Sequence, residues 1–376
     1  VFVLAGQSNM QGHAHIRTLE HLGMDSAGKS LLEAIQNADG SPKVCDRVWI
    51  SSIGSAPDEK TGQLTVGYGA SQNGPKIGPE LTFGLTMEQL VDGPILIIKT
   101  AWGGKSLNTD FRPPSAGAYH FNEKQLATFA KQGKDIAEIK VAKEEATGVY
   151  FHAMIEHVKW VLSDIKRVIP AYDDSQGYDL AGFVWFQGWN DMVDTGTYPD
   201  RDQPGGYDEY SKVMAHFIRD VRHELNAPQL PFVIGVLGVG GPVAEYDQDQ
   251  QRYVATHQNF RQAMAAPAAL PEFHDNVTAV WTERYWDREL AEAKSKENAL
   301  KQLAKKRAAD EKLDAEQQKL VVEKLLDEGL TDRQRQLIDK GISNFEFHYL
   351  GSAKILGEIG RAFAEAAFKL QPRQSQ

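Results

Sequence analysis

The sequence predicts an α/β fold built on a mainly parallel sheet with crossover helices. Short apolar runs rich in β-branched residues recur along the chain, each bounded by Gly, Pro, Asn or Ser. Amphipathic helical patterns alternate with them, the signature of strands joined by crossover helices. With 376 residues, 41% of them hydrophobic, the chain is long enough to bury one large core or two ordinary ones, and too apolar to be disordered.

In chain order, the first strand is expected over residues 1–5, an apolar run that stops at Gly6. The sequence therefore opens inside its own sheet, and we read this as removal of a leader from a secreted or periplasmic protein. Further buried strands are predicted at 48–52, 95–99, 182–186, 232–236 and 277–282. Helices are predicted at 81–90, 150–168, 207–225, 254–265 and 352–370. Met154, Val158, Val161 and Ile165 recur at three- and four-residue steps, so one face of the second helix should pack on the sheet. Two stretches look inserted into a single domain spanning 1–376. Residues about 105–149 carry Arg112-Pro113-Pro114, small residues and then a Lys/Glu-rich run, as a long surface excursion would. Residues about 287–340 hold 13 basic and 13 acidic side chains with Leu and Ala at helical spacing. That composition predicts a charged helical hairpin, closed near Gly329 and Gly341, which serves as a solvated arm or as a partner- or self-association surface.

Charge and cysteine content exclude several functions. Lys and Arg number 41 against 51 Asp and Glu, a net charge of -10. Nucleic-acid grooves and anionic membrane surfaces need the opposite balance. Cys45 is the single cysteine, so it forms no internal disulfide, and no Cys/His spacing suggests zinc. No run approaches the roughly 20 apolar residues of a membrane helix. No metal and no cofactor are expected.

Three segments with chemistry follow predicted strands, where sites of open α/β sheets gather. Gly6-Gln7-Ser8-Asn9-Met10 follows the first; a Gly-x-Ser turn lifts a hydroxyl out of a sheet, and it equally suits a capping serine. Ala101-Trp102-Gly103-Gly104-Lys105-Ser106 follows the third. Its glycines let backbone amides approach a ligand or simply make a turn, and the spacing does not match a phosphate loop. Trp185-Phe186-Gln187-Gly188-Trp189-Asn190-Asp191 follows the fourth, where carboxamides and a carboxylate crowd beside aromatics that fit either a core or a sugar-stacking rim. Of eleven histidines, His152, His157, His216 and His223 fall within predicted helices, and His13 and His15 lie just past Ser8. His348 stands in a loop before the last helix, placed to reach the first strand's turn.

The order GQSNM, GG, WFQGxxD and a late histidine resembles the SGNH hydrolases, and within them the sialate O-acetylesterase-like branch, carbohydrate esterase family 6. The resemblance implies a three-layer α/β/α sandwich of flavodoxin-like kind and removal of acetyl groups from carbohydrate, xylan-type polymers included. It makes Ser8 the nucleophile and His348 the base, with the Ser8 amide, a glycine amide (Gly104 favoured) and the Gln187 side chain as oxyanion donors. Trp102, Trp189, Asn9 and Asp191 then contact substrate. Two positions depart from the family pattern. The triad acid expected three residues before the histidine is Phe345; either Glu346 takes its place, since residues two apart share a face in extended backbone, or the acid is absent and a backbone carbonyl or water orients the imidazole of a Ser-His dyad. The glutamate of QGExD is replaced by Trp189. A serine esterase for a non-sugar ester, and a non-catalytic carbohydrate-binding or scaffolding protein on a degraded hydrolase fold, stay open as alternatives.

Overall fold

The computed structural model describes residues 1–371. Its main sheet has seven strands: β1 (Phe2–Gly6), β3 (Val48–Ile53), β4 (Lys60–Gln63), β6 (Ile95–Ala101), β7 (Gly182–Phe186), β8 (Phe232–Val236) and β9 (Val277–Trp281). They lie in the order β4-β3-β6-β1-β7-β8-β9, all parallel except the edge strand β4. A small antiparallel pair, β2 (Ala14–His15) with β5 (Lys76–Ile77), stands apart from it. The six strands read from the sequence are all present. The edge strand and the small pair were not legible, because Lys60–Gln63 is polar and mostly exposed and the pair is two residues per strand.

The sheet is covered on both faces, and the alternation of side chains along β7 shows how. Phe183 and Trp185 point one way, each meeting Phe217 of the helix Asp208–Glu224, with Phe151 of the helix Val149–Ser163 beyond. Phe186 points the other way, edge-on to Phe363 of the helix Ala353–Lys369. That helix packs lengthwise against Pro79–Leu90, whose Phe83 meets Phe2 of β1. The result is a three-layer α/β/α sandwich. A strand buried on both faces reads as a continuous apolar run, which is why β1, β6 and β7 were so plain in the sequence.

Strand order reverses at β1. From β1 the chain crosses to β3 and the edge strand β4, returns to β6 beside β1, and then runs outward through β7, β8 and β9 on the other side. The crevice at such a switch point lies beyond the strands' carboxyl ends. Here it gathers the segments that follow β1, β6 and β7.

The 105–149 stretch is only partly a surface excursion. Leu107, Asn108, Phe111 and Arg112 are buried, and only then does the chain leave the core for two exposed helices, Glu123–Lys131 and Ile136–Ala146. The charged arm is three helices rather than a hairpin of two: Arg288–Asp310, Ala315–Gly329 and Asp332–Gly341. Its base is part of the main core, where Leu290, Ala293 and Leu337 are buried. Among the described residues no helix is long and apolar enough to cross a membrane.

Candidate active site

At the end of β1 the chain turns at once into a short helix, Ser8–Gln11. Gly6 has φ 155°, and a Cβ on it would lie 2.1 Å from the Phe186 carbonyl oxygen, so only glycine fits. The turn carries Ser8 past the sheet edge into the first helical position, where an amide has no intrahelical acceptor. Gln7 fastens it to the segment after β7: its Nε2 donates to Asn190 Oδ1 at 2.8 Å, and its Oε1 accepts from the Gly188 amide at 3.0 Å. The same Nε2 lies 3.4 Å from Ser8 Oγ. The other end of the helix is held by buried Lys99, whose Nζ donates to the Gln11 carbonyl and to Glu80 Oε2, both at 2.7 Å. Burial lowers the Lys99 pKa and the Glu80 carboxylate opposes that shift.

The glycine pair after β6 meets Ser8 through Gly103. A Cβ there would stand 2.9 Å from Gln11 Oε1 and 3.9 Å from Ser8 Cβ, whereas one on Gly104 would face open space. The Gly104 carbonyl accepts from Asn190 Nδ2 at 3.1 Å, which ties the second segment to the third.

Gln187 is not free to serve as an oxyanion donor. Its Nε2 donates to the Lys105 carbonyl at 3.0 Å and to Asp191 Oδ2 at 2.6 Å, which uses both amide hydrogens. The cause is Asp191, fully buried and needing donors. It also takes the amides of Leu107 (2.7 Å) and Asn108 (3.0 Å) and the Asn108 side chain (2.8 Å). Burial raises its pKa and these hydrogen bonds pull the other way. Asp191 is therefore an internal brace between β7 and the start of the 105–149 stretch and does not reach a substrate. Trp102 is half-buried and edge-on to Tyr150, with ring centroids 5.2 Å apart. Trp189 is half-buried beside Phe347, at 5.6 Å. Asn9 is buried, and neither of its amide atoms has a protein partner among the described residues.

His348 sits in the turn Glu346–Gly351, which packs against the Ser8 helix. The two residues after it, Tyr349 (φ 53°) and Leu350 (φ 59°), are left-handed without being glycine, a conformation that persists only where the surroundings impose it. They do so here. The Tyr349 hydroxyl accepts from the Gly238 amide at 2.8 Å and pairs with Thr282 Oγ1 at 2.7 Å. The Leu350 carbonyl accepts from the amides of Ser343 and Asn344 at 2.9 and 3.1 Å.

This reversal sets Asn344, not Glu346, against the imidazole. Asn344 Oδ1 lies 2.9 Å from His348 Nδ1 and also accepts from the Phe345 amide at 2.8 Å. A backbone N–H can only donate, so that atom is the oxygen, and the proton of His348 sits on Nδ1. Among the described residues no hydrogen bond or ion pair joins Glu346 to His348. Burial first, and the neighbouring Asp247 charge second, raise the Glu346 pKa. On the other face His13 stacks on His348, ring centroids 3.9 Å apart and planes within 1°. Asn344 Nδ2 lies 3.5 Å from His13 Nδ1, so one amide spans both rings. Burial lowers the His348 pKa to about 4; burial first and the neighbouring His348 second lower that of His13 to about 3. Both rings are neutral at neutral pH. Among the described residues Ser8 Oγ makes no hydrogen bond to His348; such contacts are often long in a free enzyme and tighten around substrate. Asn344 is the candidate-site residue the sequence did not single out; His13, noted there only for lying just past Ser8, is brought against His348 by the fold.

Comparison with known proteins follows the same segments. Nothing among curated proteins matches. Two solved structures are similar in part. A protein from Arabidopsis thaliana is 15% identical with a TM-score of 0.40, over 75% of this chain and 84% of that one. A carbohydrate acetylesterase from Xanthomonas citri is 16% identical with a TM-score of 0.39, over 74% of this chain and 49% of that one. Likeness of this size assigns no residue. A family model matches residues 1–280, a stretch that holds Ser8, the glycine pair and the Gln187–Asp191 segment and stops short of the arm and of His348. By that match the chain belongs to the carbohydrate esterase, sialic acid-specific acetylesterase family, and it is a carbohydrate O-acetylesterase.

Proposed function

We propose that the chain hydrolyses O-acetyl groups on carbohydrate through an acetyl-enzyme on Ser8, with His348 as general base and Asn344 as the group that orients it. One observation carries this reading: Asn344 Oδ1, fixed as an acceptor by the Phe345 amide, holds the Nδ1 proton of His348. Nε2 then keeps its lone pair for a hydroxyl proton. A carboxamide in this position fixes the tautomer as a carboxylate would, without charge to stabilise the imidazolium. Glu346 has no part in this triad.

In the first half-reaction His348 takes the Ser8 proton as Oγ attacks the acetyl carbonyl. The oxyanion is met by the Ser8 amide and an amide of the turn at Gly103 and Gly104. Each such donor is worth roughly 3–4 kcal/mol to the transition state. Gln187 supports this hole from behind, by holding the Lys105 carbonyl just past the turn. The C–O bond to the sugar breaks, the imidazolium protonates the leaving alkoxide, and water repeats the steps to release acetate. Asn9, buried one residue from the nucleophile with neither amide atom partnered among the described residues, has hydrogen-bonding capacity to offer the acyl group. Trp189 and the ring beside it give the sugar a flat face.

Acetate release from an aryl acetate and from acetylated xylan tests the reading. The wild type is expected to act on both, and Ser8→Ala to lose at least about a thousandfold. Comparable release by Ser8→Ala would remove Ser8 as nucleophile. Action on the aryl ester alone would move the reading to a non-sugar ester.

A further inference from the structure

A broad cavity lies beside the catalytic turn rather than over Ser8. It is an open groove of about 1180 Å³, walled by the segment after β8, by residues 288–299 of the arm and by residues 342–347 next to His348. That exceeds the roughly 300–1,000 Å³ that suits one small ligand. The arm side alone runs about 18 Å along the helix axis.

An aromatic run joins the groove to the reacting centre. Trp189, two residues past Gln187, faces Phe347 at 5.6 Å; Phe347 stacks on Phe345 at 5.3 Å with planes 12° apart. Phe347 is also edge-on to His348 at 4.4 Å. Phe345 lies on the groove wall with 68% of its surface exposed. An aromatic left open at the end of a stacked series beside a catalytic base is a platform for rings that continue outward from it.

The charges of the groove say which rings. Each of its four cations is already engaged within the protein. Arg288 pairs with Glu245 and Glu292, Lys294 with Glu297, and Lys296 reaches Gln334. Arg17 donates to the carbonyls of Asp339 and Ile342. Among the described residues the carboxylates of Asp249 and Glu346 have no such partner, and Asp247 spends one oxygen on the Gln250 amide at 3.0 Å; these groups accept from hydroxyls and repel anions. Toward the active site Lys105 is likewise held, 3.4 Å from Asp110 and over the Tyr150 ring.

We infer that this groove binds the uncharged sugar residues that flank the acetylated one, so that the substrate is an acetylated neutral oligosaccharide or polysaccharide and the arm's first helix is a wall of its binding cleft. The inference builds on the esterase reading, and its test is a binding measurement that needs no turnover. Calorimetric titration uses the intact chain with unacetylated xylohexaose, mannohexaose and cellohexaose, and with the matching monosaccharides. At least one hexasaccharide is expected to bind tenfold or more tightly than its monosaccharide. Phe345→Ala, which removes the platform, and Ser295→Trp, which fills the groove from the arm, are each expected to weaken it at least tenfold, with thermal melting confirming that each variant is folded. Binding of none of the hexasaccharides, or equal binding by wild type and both folded variants, overturns the inference whether or not the protein releases acetate. Groove-dependent binding without acetate release would uphold it and sink the esterase reading instead.

Discussion

As the proposed base, His348 works only while neutral, and its buried setting bears on the range of pH over which that holds. Its pKa is brought down to about 4, so the neutral form persists well into acid. The acid limb of kcat/KM on an aryl acetate is therefore expected near pH 4, falling about tenfold per pH unit below it. A limb near 6.5, the value of a free imidazole, would show that the ring is solvated in the working enzyme. Asn344 gives the sharper test. Asn344→Ala removes the acceptor that selects the tautomer and is expected to cost about 10²–10⁴-fold in kcat. Asn344→Asp keeps the acceptor and adds a negative charge beside the ring. It is expected to retain activity and to move the acid limb to higher pH, because the carboxylate favours the imidazolium. Glu346→Gln is expected to cost far less than Asn344→Ala on the aryl ester; the reverse order would restore Glu346 to the triad. Ser8, His348 and the glycine pair could be picked out as candidates because each follows a strand or precedes a helix that the sequence marks clearly. Asn344 could not, since the choice of Glu346 assumed extended backbone, and the chain instead reverses after His348.

That reversal is a property of the turn rather than of any one side chain. Tyr-Leu carries no turn signal, and two successive left-handed residues without glycine cost on the order of 1–3 kcal/mol each. What holds them lies far away in sequence: the Gly238 amide after β8 and Thr282 after β9, both bound by the Tyr349 hydroxyl. No local pattern encodes contacts of that kind. Tyr349→Phe keeps the buried ring and leaves the Gly238 amide without its acceptor, while Thr282 Oγ1 keeps only its bond to the Val236 carbonyl. It is expected to lower the unfolding free energy by about 1–3 kcal/mol. Because the turn also carries His348, kcat/KM is expected to fall as well, by at least tenfold, in protein that is still folded at the assay temperature. A loss of stability with full activity would mean that the turn keeps its shape without this anchor. By contrast the first turn was readable from its glycine alone, since the approach of the Phe186 carbonyl admits no other residue at Gly6.

At the scale of the molecule the sheet and its covering helices were plain in the sequence, and the arm was only half so. Its charge balance announced exposed helices, and the apolar positions that bind it to the core were lost among them. Leu290 and Leu337 are buried in the main core. Gly341 packs so closely that a Cβ would stand 2.6 Å from Leu290 and 3.0 Å from His21. Asp287 at the arm's root pairs with Lys354 of the last helix at 2.8 Å. Cutting out residues 290–338 would therefore strip buried leucines from the core and is expected to lower the melting temperature by several degrees or more. A different cut follows from the geometry of the tip. Gly329 lies against Leu300, with a Cβ there 2.6 Å from the leucine side chain, so the two helices touch at that level and the chain beyond it is a detour. Deleting residues 301–328 with a short glycine linker keeps residues 288–300, and with them the buried leucine, the root pair and the wall of the groove. This shortened protein is expected to melt in a single transition near the wild-type temperature and to keep its hexasaccharide binding. Loss of the cooperative transition would show that the tip is needed for folding. Loss of binding with the transition intact would place part of the carbohydrate surface beyond residue 300.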